Sequence, residues 1–238
     1  MYQINKLYVR PELKLSDLLL ENPNLLLMME HFSLNSIVQE MSVDQFCCKN
    51  NLRTGVFIAI ANLYNGFQNT GKDLFTEKDI EVIIGFLSNC HRYYKQEKYP
   101  EIKSLIAQLY QTNTTAEVKL VEQFFNDYFE EVLEHLSYEE SIAFPYFRNL
   151  LQSKSEALTE SHFSVLEYGD HHSDIESTLS DLKNLILKHI PIQTDFVVRR
   201  KLLLSLCELE FDLKIHQSIE ELILMPLIAK LEKKPNRE

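Results

Sequence analysis

The sequence HLSYEESIAFP at residues 135–145 decides the fold, because it returns 81 positions later as HQSIEELILMP at residues 216–226. Each segment contains a histidine followed four residues later by a glutamate, and each reaches a proline ten residues after the histidine. A four-residue spacing places two side chains on adjacent turns of one helix face. The repeat therefore predicts two related helices that each present an imidazole and a carboxylate on the same side.

Two further histidines extend this repeat along the chain. His91 precedes His135 by 44 positions, and His172 precedes His216 by the same 44 positions. His171 stands beside His172 but falls outside the register, on a polar face of the predicted helix. One pair of helices is thus predicted to repeat the pair before it. The repeat singles out six residues, which are His91, His135, Glu139, His172, His216 and Glu220.

Each of these histidines interrupts an apolar stripe that has the three- and four-residue spacing of one helix face. On the second helix, Val121, Phe125 and Ile142 share the stripe with His135. Four long helices with short connections form an antiparallel bundle, so we predict an all-α, four-helix antiparallel bundle over residues 77–232. The helices should begin near residue 76, after residues 112–115, after 153–155 and after 191, and Pro100 should kink or end the first.

Residues 1–68 contain shorter helical patterns, which predict a small helical N-terminal domain. Ser42 has the chemistry of an N-cap for a helix over residues 43–49. Two of the five glycines lie in residues 66–72, so residues 69–76 are predicted to link the two domains. The adjacent Cys47 and Cys48 on the predicted helix indicate one packed thiol and one rim thiol rather than a redox pair.

Composition narrows the possible functions and the compartment. The 238 residues have a formal net charge of -11, which disfavours binding to a nucleic-acid backbone. No apolar run approaches the roughly 20 residues of a membrane span. The sequence MYQINK at residues 1–6 does not have the basic and apolar pattern of a signal peptide. With only four scattered cysteines, a reducing cytoplasm is the expected location.

A bundle that buries imidazoles and carboxylates needs positive charge, because an unpaired buried carboxylate costs several kcal/mol. Two metal ions supply that charge, with Glu139 and Glu220 each able to bridge both ions and each ion able to take two of the four histidines. Imidazole and carboxylate donors with open positions suit iron, with manganese possible and zinc less apt. We therefore predict two iron ions, oxo- or hydroxo-bridged. The alternative for any single histidine is a hydrogen-bonded core or rim residue.

At these residues the sequence resembles the hemerythrin-like superfamily of cation-binding proteins, and it is most similar to bacterial iron-sulfur cluster repair di-iron proteins. The resemblance spans about residues 77–230 and includes the apolar–proline pairs at 144–145 and 225–226. It implies a hemerythrin-like bundle with a di-iron site. The family order of His, His-x-x-x-Glu, His and His-x-x-x-Glu matches His91, His135 with Glu139, His172, and His216 with Glu220.

Two departures from related patterns matter. Oxygen-carrying hemerythrins place an aspartate near the end of the last helix, but no aspartate follows Asp212 here, so an oxygen carrier is disfavoured. Repair proteins often have a Cys-Cys-Gly-Gly signature in an N-terminal module. Here Cys47 and Cys48 are followed by KNN at residues 49–51, so residues 1–68 match that module only loosely.

The resemblance implies a role in iron-sulfur cluster repair under nitrosative or oxidative stress, with oxygen or nitric oxide as the small ligand and a damaged iron-sulfur protein as a partner. A second hypothesis is an oxygen- or nitric oxide-sensing module that signals through its N-terminal domain. A third is a helical scaffold with a vestigial, metal-free site. We expect neither a nucleic-acid nor a membrane partner. The sequence leaves the oligomeric state and enzymatic turnover open.

Overall fold

A computed structural model describes residues 7–34, 37–68, 75–152, 175–190 and 194–232. Within these ranges all regular secondary structure is helical, and a single isolated bridge pairs Lys14 with Ser42. The predicted all-α fold class is confirmed. The helices are α1 (Leu15–Glu21), α2 (Asn24–His31), α3 (Val43–Lys49), α4 (Thr54–Tyr64), α5 (Ile80–Tyr93), α6 (Tyr99–Thr112), α7 (Ala116–Tyr138), α8 (Phe144–Gln152), α9 (Ile175–Lys188), α10 (Phe196–Ile219) and α11 (Met225–Glu232).

In the described ranges, three π-helical turns interrupt the long helical stretches. They cover Tyr94–Lys98, Glu139–Ala143 and Glu220–Leu224. In each, the N–H of the residue after the turn donates to the carbonyl of its first residue, five positions earlier. The next residue is a proline in all three cases, and proline has no N–H to continue the α-helical ladder. Such turns are rare and occur often at functional sites.

The chain divides into two compact units. The first unit comprises residues 1–90, 146–165 and 215–238, and the second comprises residues 91–145 and 166–214. The predicted linker 69–76 lies mostly outside the described residues, and the domain boundary there stays a prediction. No helix in the described ranges combines the length and apolarity required to cross a membrane.

In the first unit the short helices pack through apolar faces and are fixed by buried polar pairs. Helix α4 packs on α2 and α3, and Phe32 stacks on Phe57 with ring centroids 5.6 Å apart. Ser42 accepts a hydrogen bond from the Gln45 N–H in a capping box, which confirms it as the N-cap of α3. The Asn22 side chain donates to the Asn65 side chain at 2.6 Å, and both are buried.

Separate stretches of the first unit are joined by polar contacts. Arg53 pairs with the fully buried Asp79, just ahead of α5. Arg148 contacts Glu81 at 3.2 Å. Tyr146 donates a hydrogen bond to Glu232 at 3.0 Å. Residues before 90, near 150 and after 215 therefore belong to one packed body.

In the second unit, α7 packs against α6 and α9. Thr115 caps α7 by accepting a hydrogen bond from the Val118 N–H. An aromatic stack with centroids 3.9 Å apart joins Tyr99 on α6 to Phe129 on α7. Phe125 is fully buried beside them. The apolar stripe predicted for this helix is therefore a core face.

The prediction was wrong for Ile142, which is 44% exposed, while its neighbour Ala143 is fully buried. The π turn that begins at Glu139 explains the shift. Its bonds span five residues instead of four, so the buried face moves to a later position along the chain.

Candidate metal centre

In the second unit, the carboxylate of Glu139 lies between two imidazoles. Its Oε2 atom is 3.0 Å from Nε2 of His91, and its Oε1 atom is 3.1 Å from Nε2 of His135. His91 and Glu139 are fully buried, and the side chain of His135 is 13% exposed. One carboxylate thus presents a separate oxygen to each histidine.

The helices bring these side chains together for local reasons. His91 lies in the last turn of α5 and His135 in the last turn of α7. Glu139 is the first residue of the π turn that ends before Phe144 and Pro145. The four-residue spacing from His135 to Glu139 therefore remains α-helical, and the register changes only after the carboxylate.

The second ring nitrogen of His91 also faces a carboxylate. Its Nδ1 atom is 2.9 Å from Oε1 of Glu140, and Lys95 Nζ donates to both oxygens of Glu140 at 2.9 Å. The ring of Phe144 stacks on His91 with centroids 5.6 Å apart. These contacts fix the plane of the imidazole and leave its Nε2 atom directed at Glu139.

The charges around His91 shift two pKa values in opposite directions. Burial lowers the pKa of His91, but the carboxylates of Glu139 and Glu140 outweigh burial and raise it above its ordinary value. The hydrogen bond with His91, assisted by Lys95, lowers the pKa of Glu140 to about 2 despite the opposing effect of burial. In the metal-free protein, the two carboxylates therefore favour the protonated form of His91, with one ring nitrogen facing each of them.

The first unit contains the second pair of the repeat. His216 Nδ1 lies 3.6 Å from Oε2 of Glu220, and both side chains are buried. Glu220 begins a π turn, as Glu139 does, and Met225 precedes Pro226 where the turn ends. The sequence repeat is therefore also a structural repeat: His, one α-helical turn, Glu, π turn, proline.

The donor set of the second unit fits a metal ion of intermediate hardness. Ligand atoms of His91 and Glu139 lie within 4.8 Å of one another, close enough to hold one metal ion. The same is true of ligand atoms of His135 and Glu139. Imidazole nitrogen combined with carboxylate oxygen suits iron and manganese. These residues can therefore form a metal site of histidine and carboxylate ligands.

The predicted residues thus fall into three groups. His91, His135 and Glu139 come together in the second unit, and His216 pairs with Glu220 in the first. His172 lies outside the described residues, so its part in a site stays a prediction.

Sequence reasoning missed Glu140 and Lys95. A glutamate directly follows each His-x-x-x-Glu motif, as Glu140 and as Glu221, which was the available signal. Nothing in the sequence separates their roles. In the structure Glu140 bonds to His91, whereas the exposed Glu221 accepts a hydrogen bond from Gln217 at 2.8 Å.

Comparison with known protein-family models finds no match, and comparison with curated proteins finds no significantly similar sequence. The resemblance to hemerythrin-like proteins accordingly rests on the spacing of the six residues of the repeat.

Proposed function

We propose that this chain is a non-haem di-iron protein of the iron-sulfur cluster repair type, acting in the response to nitrosative or oxidative stress. The observation that carries the proposal is the Glu139 carboxylate, buried with one oxygen on His91 and the other on His135. A carboxylate in that position can bridge two ions, each of which takes one of the histidines.

The repeat supports a matching contribution from the first unit. Glu220 has the burial, the histidine partner and the π turn of Glu139, so the same chemistry is available twice. In the proposed site, Glu139 and Glu220 would supply the carboxylates that hold the ions. Four imidazoles complete the protein ligands, from His91, His135, His172 and His216. When bound, the iron pair would supply open coordination positions for a diatomic molecule and one-electron chemistry.

The residues around His91 have their own task in this proposal. Glu140 accepts a hydrogen bond from the Nδ1–H group of His91 and orients the ring, as carboxylates do behind metal-bound histidines. The Nε2 atom must lose its proton before it can donate a lone pair to a metal. Because the pKa of His91 is raised, protons compete with the metal, and acid should weaken binding.

Iron content tests the bridging role. Protein produced in iron-rich medium should contain two iron ions per chain and have the absorption of an oxo-bridged di-ferric centre. Glu139→Ala should lose about one ion or more, because it removes a ligand shared by both. The control Glu131→Ala changes an exposed carboxylate on the same helix and should keep both. A Glu139→Ala protein that is folded and fully loaded with iron contradicts the proposal.

Adjacent histidines provide a second test of the ligand set. His172→Ala should lower the iron content, whereas His171→Ala, one residue away and outside the repeat, should leave it unchanged. Equal effects of the two substitutions would show that the register of the repeat does not define the ligands.

The repair role itself needs a transfer assay. The iron-loaded protein should restore the cluster of an iron-sulfur enzyme that nitric oxide has damaged, when sulfide is provided. Glu139→Ala should fail in this assay, and Glu131→Ala should succeed. Restoration by free iron at the same concentration and rate would argue against a repair function, even for a protein that binds two iron ions.

A further inference from the structure

The first of the three π turns begins with a tyrosine, where the other two begin with the proposed bridging glutamates. Tyr94 is followed six residues later by Pro100, as Glu139 is by Pro145 and Glu220 by Pro226. Tyr94 therefore occupies the register position of a site residue, but it carries a phenol in place of a carboxylate.

The Tyr94 phenol is sealed from solvent and has a defined proton acceptor. Its side chain is fully buried, and its hydroxyl donates a hydrogen bond to Oδ2 of Asp212 at 2.8 Å. Asp212 is itself buried, at 1% exposure, in the interior of α10. Both residues belong to the second unit. A buried carboxylate opposite a buried phenol is costly to maintain for packing alone.

The pair also lies close to a predicted metal ligand. Tyr94 follows His91 by three residues, which is about 4.5 Å along a helix axis. The ring of Tyr93 lies 5.8 Å from the Tyr94 ring, and its hydroxyl donates to the half-exposed Glu208. Tyr93 thus has a solvent-accessible partner, whereas Tyr94 has an enclosed one.

This arrangement is what reversible oxidation of a phenol requires. A phenol that loses an electron becomes a strong acid, so oxidation is facile only when a base already accepts its proton through a hydrogen bond. The neutral radical that results survives when solvent and small reductants cannot reach it. Tyr94 and Asp212 meet both conditions.

We infer that Tyr94 and Asp212 form a proton-coupled one-electron redox site. The phenol of Tyr94 gives one electron to a one-electron oxidant, and its proton moves along the hydrogen bond to Oδ2 of Asp212. The products are a neutral tyrosyl radical, a protonated carboxyl group and the reduced oxidant. Returning the electron returns the proton to the phenol. The inference rests on the proposed function only for its natural oxidant, which would be the oxidised metal centre next to His91.

Photochemical oxidation tests the pair without relying on activity. A flash-generated ruthenium(III) tris-bipyridine complex oxidises tyrosines of the full-length protein, and electron paramagnetic resonance follows the radicals. The experiment uses the protein as purified and again after chelation of its metal. We expect a long-lived tyrosyl radical that is lost in Tyr94→Phe. It should also be lost in Asp212→Asn, which can still accept a hydrogen bond but cannot take up a proton.

Tyr146→Phe is the matched control, because Tyr146 also donates to a carboxylate, Glu232, but near the surface. That variant should keep the long-lived radical. A radical of unchanged lifetime and yield in folded Tyr94→Phe overturns the inference. So does an iron-phenolate absorption band of the loaded protein that disappears in Tyr94→Phe, because Tyr94 would then be a ligand.

The two proposals fail in different ways. A long-lived Tyr94 radical in a protein that never binds iron would refute the proposed function and leave the redox pair standing. A protein that binds two iron ions but forms no such radical would support the proposed function and refute the redox pair.

Discussion

Replacing Glu140 by glutamine should weaken metal binding about two- to five-fold. The change keeps the shape of the side chain and an oxygen that can accept the Nδ1 proton of His91, but it removes the charge. Hydrogen bonds to a charged group contribute roughly 1.5–3 kcal/mol and neutral ones about 1 kcal/mol, so about 0.5–2 kcal/mol is lost. Because the Glu140 side chain is 42% exposed, solvent screening favours the lower end of that range. At 1.4 kcal/mol per ten-fold, a loss of about 0.5–1 kcal/mol weakens metal binding about two- to five-fold.

Competition with a chromophoric chelator measures this effect directly. Glu221→Gln is the control, since Glu221 follows the second motif as Glu140 follows the first, but it is exposed and accepts a hydrogen bond from Gln217 on the same helical stretch. Its affinity should stay within two-fold of wild type, in keeping with the small effects of surface changes. Equal weakening by the two variants, or wild-type affinity in Glu140→Gln, would refute the reasoning about His91.

Three further predictions concern the metal-free protein. Burial raises the pKa of the Cys47 thiol to about 12, so Cys47 should react with a disulfide reagent at pH 8 about a thousand-fold more slowly than the exposed Cys48. In urea unfolding, Phe125→Ala should cost about 3–5 kcal/mol, whereas Leu120→Ala, 54% exposed on the same helix, should cost no more than about 0.5 kcal/mol. The lowered pKa of Glu140 stabilises the fold above its ordinary pKa of 4.5. This contribution should be lost as the pH falls from 4.5 to about 2, and Glu140→Gln should abolish that part of the acid dependence. The packing described above would be contradicted by any of three results. These are the same loss of stability at low pH in wild type and Glu140→Gln, a Cys47 that reacts as fast as Cys48, and a Phe125→Ala protein as stable as wild type.

Much of the fold could be predicted because its signals are local. The cap at Ser42, the start of α7 after residue 115 and the apolar stripe of α7 depend on neighbouring residues along one helix, and the structure confirms them. The prediction of one packed thiol and one rim thiol on α3 is also confirmed, because Cys47 is buried and Cys48 is exposed. Each of these features follows from helix geometry and needs no knowledge of what packs where.

The parts that could not be predicted depend on contacts between helices or on a change of helix type. The exposure of Ile142 follows from a π turn. The proline that follows the turn is compatible with it but does not by itself predict it. The hydrogen bond between His91 and Glu140 joins α5 to the π turn after α7. Predicting it would require knowing how far the two helices are shifted along each other. Asp212 belongs to no repeated motif, and its hydrogen bond from Tyr94 could not be predicted from the sequence.

The three-part composition of the first unit has a consequence for synthesis on the ribosome. Residues 1–90 leave the exit tunnel long before residues 215–238, which complete the same packed body. At ordinary translation speeds the delay is on the order of 10 seconds, far longer than a short helix needs to form. During that interval the early helices can pack on one another, as α4 does on α2 and α3, but the apolar surface that the later residues cover stays exposed. A nascent chain of this design is therefore a natural client for chaperones that hold exposed apolar segments, and slow codons late in the message should increase its aggregation.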